Sequence, residues 1–222
     1  MNSISQEIEI TADGSATIYL PQLDEHYHSV KGAITESCYI FRDCGFLYHP
    51  NSCKKTIRIL EIGFGTGLNA VVTAMASNKD KTTHYISLEL YPIDKDTINK
   101  LNYDQLIDGT LLQSLHHTPW NEPHIITPYF TLEKRQCDFT KCNLPNDIDI
   151  VYFDAFAPEK QPEMWDEKLL TRIYNSMSKG GILTTYCAKG EIRRRLQRVG
   201  FTVERLPGPP GGKREILRAI KQ

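Results

Sequence analysis

Apolar and polar residues alternate along "EIEITADGSATIYL" (7–20), and the alternation breaks only at Asp13-Gly14. An Asp-Gly pair between two alternating runs predicts a β-hairpin. The stretch 24–41 is mixed, and "AITESCYIFRDCG" predicts a helix that ends at Gly45. From Lys55 the pattern changes. "TIRILEIG" (56–63) is a buried strand, "TGLNAVVTAMAS" (66–77) has helical spacing, and "THYISLEL" (83–90) is a second strand. "DKDTINKLN" (94–102) predicts a helix, followed by helical or irregular chain to Pro119. "YFTLEKRQCDF" (129–139) and "IDIVYFDAF" (148–156) are further strands. "PEMWDEKLLTRIYNSM" (162–177) is an amphipathic helix, "GGILTTYCAK" (180–189) a strand, and "EIRRRLQRVG" (191–200) a helix stopped by glycine. "FTVERL" and "REILRAIK" flank "PGPPGGK" as two closing strands.

Alternating strands and helices imply a parallel sheet covered on both faces. Only a turn joins the last two strands, so they must be antiparallel; a parallel crossover needs a dozen or more residues. Two parts are expected: a hairpin-and-helix extension over 1–54 and an α/β domain over 55–222. An open sheet with an antiparallel C-terminal pair is the arrangement of class I, Rossmann-like S-adenosylmethionine-dependent methyltransferases.

"LEIGFGTGLNA" (60–70) bears on the ligand. Gly63, Gly65 and Gly67 alternate with Phe64 and Thr66 directly after a strand, where open α/β sheets bind ligands. Bare backbone there lets a ligand approach closely. A dinucleotide fingerprint would read G-x-G-x-x-G/A. Here Leu68 fills the last small position, and Glu61, two residues before the glycines, repels a pyrophosphate but suits a cationic amino-acid moiety. E-x-G-x-G-x-G is the pattern of S-adenosylmethionine sites, with Asn69 following the loop. Glu89, ending the second strand, is positioned to accept from ribose hydroxyls. Asp138 and Phe139, ending the third, offer an acceptor for the adenine amino group and an apolar neighbour. A merely structural tight turn remains the alternative for the glycines.

The fourth strand ends at Asp154, and "AFAP" after it is too apolar for a solvent loop. Asp154 is expected in the cleft as the catalytic carboxylate, with Phe156 and Pro158 walling a flat substrate and Trp165 helping to desolvate it. An N-cap Asp with a buried Phe is the plainer reading.

These blocks carry a resemblance. "EIGFGTGLN", "FDAFAPEKQPEMW", "GGILTTYCAKGEIRRRLQRVGF" and "PGPPGGKREILRA", with the lead-in "HYHSVKGAITESCYIF", resemble the methyltransferase domain of the MnmC family, including its stand-alone MnmD-type members. The resemblance covers nearly the whole chain. It implies S-adenosyl-L-methionine as cofactor, tRNA as partner, and methylation of the 5-aminomethyl group of a wobble uridine. Bifunctional members add a flavin-dependent oxidase domain that makes the amine. These 222 residues leave no room for one, so a separate enzyme is expected to supply the substrate. Lys213 and Arg214 match the family block and are expected to contact substrate; Glu36, with His28 and Ser29, matches the lead-in. "DAFAP" stands where "DGFAP" is common.

Charge sharpens this picture. Eleven basic residues and three acidic ones follow from Lys179 on, a tail near +8 in a chain of net charge −1. That permits a polyanionic partner. In the 191–200 helix Arg194 and Arg198 share a face while Arg193 and Arg195 point elsewhere, so Lys213 and Arg214 are the favoured contacts. A free polyamine would call for several acids around the cleft. The competing readings are a small-molecule amine methyltransferase, a spermidine-synthase-like aminopropyl transferase, and a non-catalytic RNA-binding module. No apolar run approaches the roughly 18 residues of a membrane span. "MNSISQEIEI" lacks the basic start and apolar core of a signal peptide, so a cytoplasmic location is expected. Cys38, Cys44, Cys53, Cys137, Cys142 and Cys187 contain no CxxC pair and are expected as free thiols. His116-His117 reads as helix surface, and no metal is expected.

Overall fold

The computed structural model describes residues 5–49 and 56–222. Cys53 and the expected boundary at 54/55 lie outside the described residues. Strands β1 (Glu7–Ile10) and β2 (Ala16–Leu20) pair antiparallel across the Asp13-Gly14 turn, with Ile10 opposite Ala16. A two-residue strand, β3 (Glu25–His26), extends this small sheet. A short helix, α1 (Ala33–Glu36), leads into a π-helical turn over Ser37–Leu47. That element runs past Gly45, contrary to the expected stop. A Cβ on Gly45 would meet the Tyr152 ring at 3.1 Å and Thr184 at 3.3 Å. The glycine therefore lets the helix lie close on the sheet instead of ending it.

The main sheet contains β4 (Thr56–Ile62), β5 (Thr82–Glu89), β6 (Pro123–Thr127), β7 (Phe130–Gln136), β8 (Ile148–Phe153), β9 (Met177–Thr185), β10 (Phe201–Pro207) and β11 (Glu215–Lys221). Their order is β10-β11-β9-β8-β4-β5-β7-β6. The five central strands are parallel, and β10, β11 and β6 join antiparallel. The antiparallel C-terminal pair is as expected, since a turn is all that connects it. β6 is an unanticipated edge strand. β8 is buried at every position, as a central strand covered on both faces must be. The chain leaves β4 toward β5 and β7, then returns through β8 toward β9, so the reversal falls between β4 and β8.

Helices α2 (Leu68–Ala76), α3 (Lys95–Ile98), α4 (Gly109–His117), α5 (Glu167–Ser176) and α6 (Gly190–Val199) cover the faces. α3 is capped by Asp94, which accepts from the Thr97 N–H at 2.9 Å. It is much shorter than the expected 94–102 helix. Asn102 is used elsewhere: it accepts from Ala16 N–H and donates to Gly14 O, both at 2.8 Å, and so ties the N-terminal hairpin to the domain. α6 ends at Gly200 in the left-handed region (φ 119°), the glycine stop the sequence announces. One apolar cluster runs from Ile18, Ile40 and Phe41 through Ile59 and Val71 to Tyr152 and Ile182, so the N-terminal segment and that face of the sheet share a core.

Candidate active site

The loop after β4 takes positive φ at Gly63 (91°), Gly65 (49°) and Gly67 (74°), a run that side chains would oppose. What the bare positions face differs from the expectation of a ligand at each. A Cβ on Gly65 would lie 3.1 Å from the Tyr27 ring, and one on Gly67 would lie 3.0 Å from both His116 and Phe64. Those two glycines make room for the protein's own rings. At Gly63 the nearest atom is the Asp154 carbonyl oxygen at 3.4 Å.

An open cleft of about 890 Å³ lies against this loop. Gly63, Phe64, Gly65, Thr66, Asn69, Glu89, Asp138, Phe139, Asp154 and Phe156 all line it. Glu89 is fixed by two amides: Gly65 N–H donates to Oε2 at 3.1 Å and Tyr91 N–H to Oε1 at 2.8 Å. Asp138 is held by the Thr140 hydroxyl and amide and faces Lys141 at 3.0 Å, which keep its carboxyl below the usual range. Phe139 packs edge-on against Phe153.

Glu61 does not line the cleft. It is fully buried, accepts from the Ser87 hydroxyl at 2.6 Å, and burial pushes its carboxyl up to about 8. It sits behind Asn69, whose amide donates to Asp154 Oδ2 at 2.8 Å. The acid before the glycines therefore acts on the cleft through Asn69. Gly67 likewise stands back from the cavity.

Asp154 lies where this cleft meets a second cavity, of about 690 Å³, and lines both together with Tyr27, His28 and Phe156. Burial, then the charge of Glu36, pushes the Asp154 carboxyl up to about 7. The second cavity is also lined by Glu25, Glu36, Tyr186 and Lys213. Several acids thus surround it, the feature a polyamine site calls for. They come from the N-terminal segment, whose placement over the β8 loop has no local signature.

Tyr27 and Phe156 meet edge-on at 5.4 Å between the two spaces. His28 is buried and neutral at pH 7, pushed down to about 4 by burial, and pairs with Thr66 Oγ1 at 2.7 Å. Trp165 does not reach either cavity. It is buried against Phe153 and its indole N–H donates to Phe156 O at 2.8 Å, which fixes the wall from behind.

Pro158, Lys213 and Arg214 line an adjoining shallow groove with Lys189. Arg195 and Arg198 are engaged elsewhere, donating to Trp165 O at 2.9 Å and Glu167 at 2.7 Å. His116 is not surface as expected. It turns inward to pair with Thr66 O at 2.9 Å, and only His117 stays exposed. The five described cysteines are free thiols. Among the described residues no group of three His, Cys, Asp or Glu side chains is arranged to hold a metal. No described helix is long and apolar enough to cross a membrane.

Sequence reasoning missed Tyr27 and Tyr186. Tyr186 directly follows β9, and the carboxyl end of a parallel strand is where ligand-facing residues gather. Tyr27 had no such signal.

The cleft fits a sulfonium nucleoside. It offers open backbone at Gly63, an oriented carboxylate at Glu89, a polar and an apolar group at Asp138 and Phe139, and no cluster of cations for a pyrophosphate. Comparison with known proteins agrees. Residues 131–222 match a family of S-adenosyl-L-methionine-dependent methyltransferases. The bifunctional tRNA 5-methylaminomethyl-2-thiouridine biosynthesis protein MnmC of Actinobacillus pleuropneumoniae is 31% identical over 98% of this chain and 35% of its own length. That of Leptospira interrogans is 28% identical over 94% of this chain and 34% of its own length. The chain thus spans about a third of the length of these curated relatives. The crystal structure of MNMC2 from Aquifex aeolicus superposes with a TM-score of 0.80 at 27% identity, covering 98% of this chain and 70% of that one. Spermidine synthase from Thermotoga maritima shares the fold, with a TM-score of 0.64 at 15% identity over 100% of this chain and 71% of that one. Strand order, glycine loop and these matches together show the fold of an S-adenosyl-L-methionine-dependent methyltransferase, similar over nearly its whole length to about a third of the bifunctional MnmC proteins.

Proposed function

We propose that this protein methylates the 5-aminomethyl group of the wobble uridine in tRNA, giving 5-methylaminomethyl-(2-thio)uridine. One observation carries the reading. Asp154 stands at the junction of a cleft built for a sulfonium nucleoside and a cavity lined by acids, where an amine meets the cofactor. The relatives' names supply the RNA, and the groove beside the cavity, with Lys189, Lys213 and Arg214, supplies a path for its phosphates. A tRNA substrate would be met in the cytoplasm, and its amine must come from an earlier modification of the uridine.

Gly63, Gly65, Glu89, Asp138 and Phe139 would hold S-adenosyl-L-methionine, which supplies an activated methyl group. The chain's own task is to present a neutral, aligned nitrogen. An alkylammonium has a pKa near ~10.4. An ordinary aspartate at 3.8 lies ~6.6 units below it, so moving the proton would cost ~9 kcal/mol at 1.36 kcal/mol per unit. With Asp154 at about 7 the gap falls to ~3.4 units, or ~4.6 kcal/mol. Burial therefore roughly halves the equilibrium cost of passing the proton to Asp154 while leaving a carboxylate to orient the amine. Positioning by the Phe156 wall and its Trp165 brace contributes more, since alignment of reacting groups is worth about 7–11 kcal/mol.

The acids at 25, 36 and 154 also suit a free diamine, so aminopropyl transfer of the spermidine-synthase kind is the second reading. Mass spectrometry of nucleosides from undermodified tRNA, incubated with the protein and S-adenosylmethionine, tests the first. Formation of 5-methylaminomethyluridine is expected. Product formed only from putrescine and the decarboxylated cofactor would replace it with the second.

A further inference from the structure

Among the described residues, Lys213 is the only lysine or arginine lining the acid-walled cavity. Its ammonium lies 3.6 Å from Glu36 Oε1 and 3.6 Å from the centroid of the Tyr186 ring. The first distance is within ion-pair range but beyond a hydrogen bond. Glu36 is 7% exposed; its Oε2 accepts from Ser29 N–H at 2.8 Å, while Oε1 has no hydrogen-bond partner at all. Tyr186 is locked, because its hydroxyl donates to Ala155 O at 2.8 Å. A buried carboxylate oxygen lacking a hydrogen bond is costly, and an ammonium that stops short of it satisfies it incompletely.

We propose that the Lys213 ammonium is a resident stand-in for the substrate's own: it occupies the subsite bounded by Glu36, Tyr186 and Asp154 until a primary amine displaces it, and so makes the site selective for a cationic acceptor. The inference rests on the amine-acceptor reading above and deepens it. The geometry of the loop favours displacement of the side chain alone. Gly208 N–H donates to Arg214 O at 3.0 Å, and a Cβ on Gly208 would collide with Lys213 O, so the backbone is clamped at this point. The four-carbon stem is free to swing, and the ammonium is part solvated, with the side chain 40% exposed. A substrate amine on a rigid base can approach Oε1 to true hydrogen-bond distance, exchanging a long contact for a short charge-assisted one. The displaced ammonium then lies at the mouth of the groove, on the side where phosphates would run.

An internal competitor lowers apparent affinity by the fraction of time it holds the site. Titration calorimetry with benzylamine as the probe, and benzyl alcohol as its neutral counterpart, measures that fraction. Lys213→Met keeps the apolar stem over Tyr186 and removes the charge. Benzylamine is expected to bind this variant about 5- to 10-fold tighter than the wild type, with benzyl alcohol unchanged because it carries no charge to set against Glu36 and so does not enter the subsite in either protein. Glu36→Gln is expected to weaken benzylamine in either background. Lys213→Gln serves as a second variant, and retained S-adenosylmethionine binding certifies the fold of each. Benzylamine affinity that is unchanged or weaker in both Lys213 variants overturns the proposal, as does an equal gain for the alcohol, which would report only a larger cavity. The tRNA methylation assay is independent: methylation with no gain in amine affinity sinks this inference alone. Amine binding that behaves as stated without tRNA methylation sinks the choice of substrate instead.

Discussion

Replacing Glu61 by glutamine is expected to make the protein more stable at alkaline pH and to leave it nearly unchanged in acid. Glu61 is 0% exposed, and burial raises its carboxyl from 4.5 to about 8 in the fold. The folded state therefore keeps a proton that the unfolded chain releases. For an acid raised in this sense, the stabilising contribution is complete below pH ~4.5 and is lost as pH climbs to about 8. The shift of ~3.5 units corresponds to at most ~5 kcal/mol at 1.36 kcal/mol per unit, and relaxation of the interior reduces the observable part to about 2–4 kcal/mol. Glutamine has the same shape, accepts from Ser87, and cannot ionise. Urea unfolding followed by far-UV circular dichroism, with reductant present for the free thiols, should be run on both proteins from pH 5 to pH 9. The difference in stability should be within about 1 kcal/mol at pH 5 and should grow in favour of the variant through pH 8. A difference that is flat across this window would show that the Glu61 carboxyl ionises normally, and with it the account of a neutral acid behind Asn69 would fail.

Four other expectations follow from the same geometry. Asp154→Asn should lower kcat by about 10²-fold or more with little change in cofactor affinity, measured by single-turnover methylation and calorimetry. The wild-type kcat/KM should rise with pH through about 7, as the Asp154 carboxyl becomes able to take a proton, and that limb should vanish in the asparagine variant. Gly65→Ala forces a side chain to φ 49° and 3.1 Å from Tyr27; a loss of about 1–2 kcal/mol in unfolding experiments is expected, with weaker cofactor binding because the Gly65 amide holds Glu89. Arg214→Gln should reduce the salt dependence of tRNA binding by about one unit of slope, whereas Arg198→Gln, already paired with Glu167, should leave it unchanged.

The sheet and its closing pair are legible in the sequence because local pattern and connection length decide them: "IDIVYF" must be buried on both faces, and "PGPPGGK" is too short for a crossover. Glu89, Asp138 and Asp154 were locatable for the same reason, each being an acid at, or within two residues of, the carboxyl end of a parallel strand. Misreadings arose where a residue's purpose is set at long range. Gly45 looks like a helix stop and is a contact point on Tyr152. Asn102 looks helical and is a tether to Ala16 and Gly14. Trp165 looks like a cavity wall and is a brace behind one. Glu36 was singled out only by resemblance, because nothing in its neighbours tells that a chain segment 118 residues before Asp154 folds over that carboxylate.

β11 follows every other strand of this sheet in the sequence, yet it is not at the rim; it slots between β9 and β10. Among the described strands β10 bonds to β11 alone, so it has no berth while β11 is still in the ribosome. Lys213 and Arg214, which stand just ahead of β11, are likewise unplaced until then. A nascent chain can thus form the glycine loop after β4 early and still lack Lys213 in the lining of the acid-walled cavity. Competence arrives in a single late insertion, and a ribosome that stalls before Lys221 leaves an open strand edge for chaperones to guard.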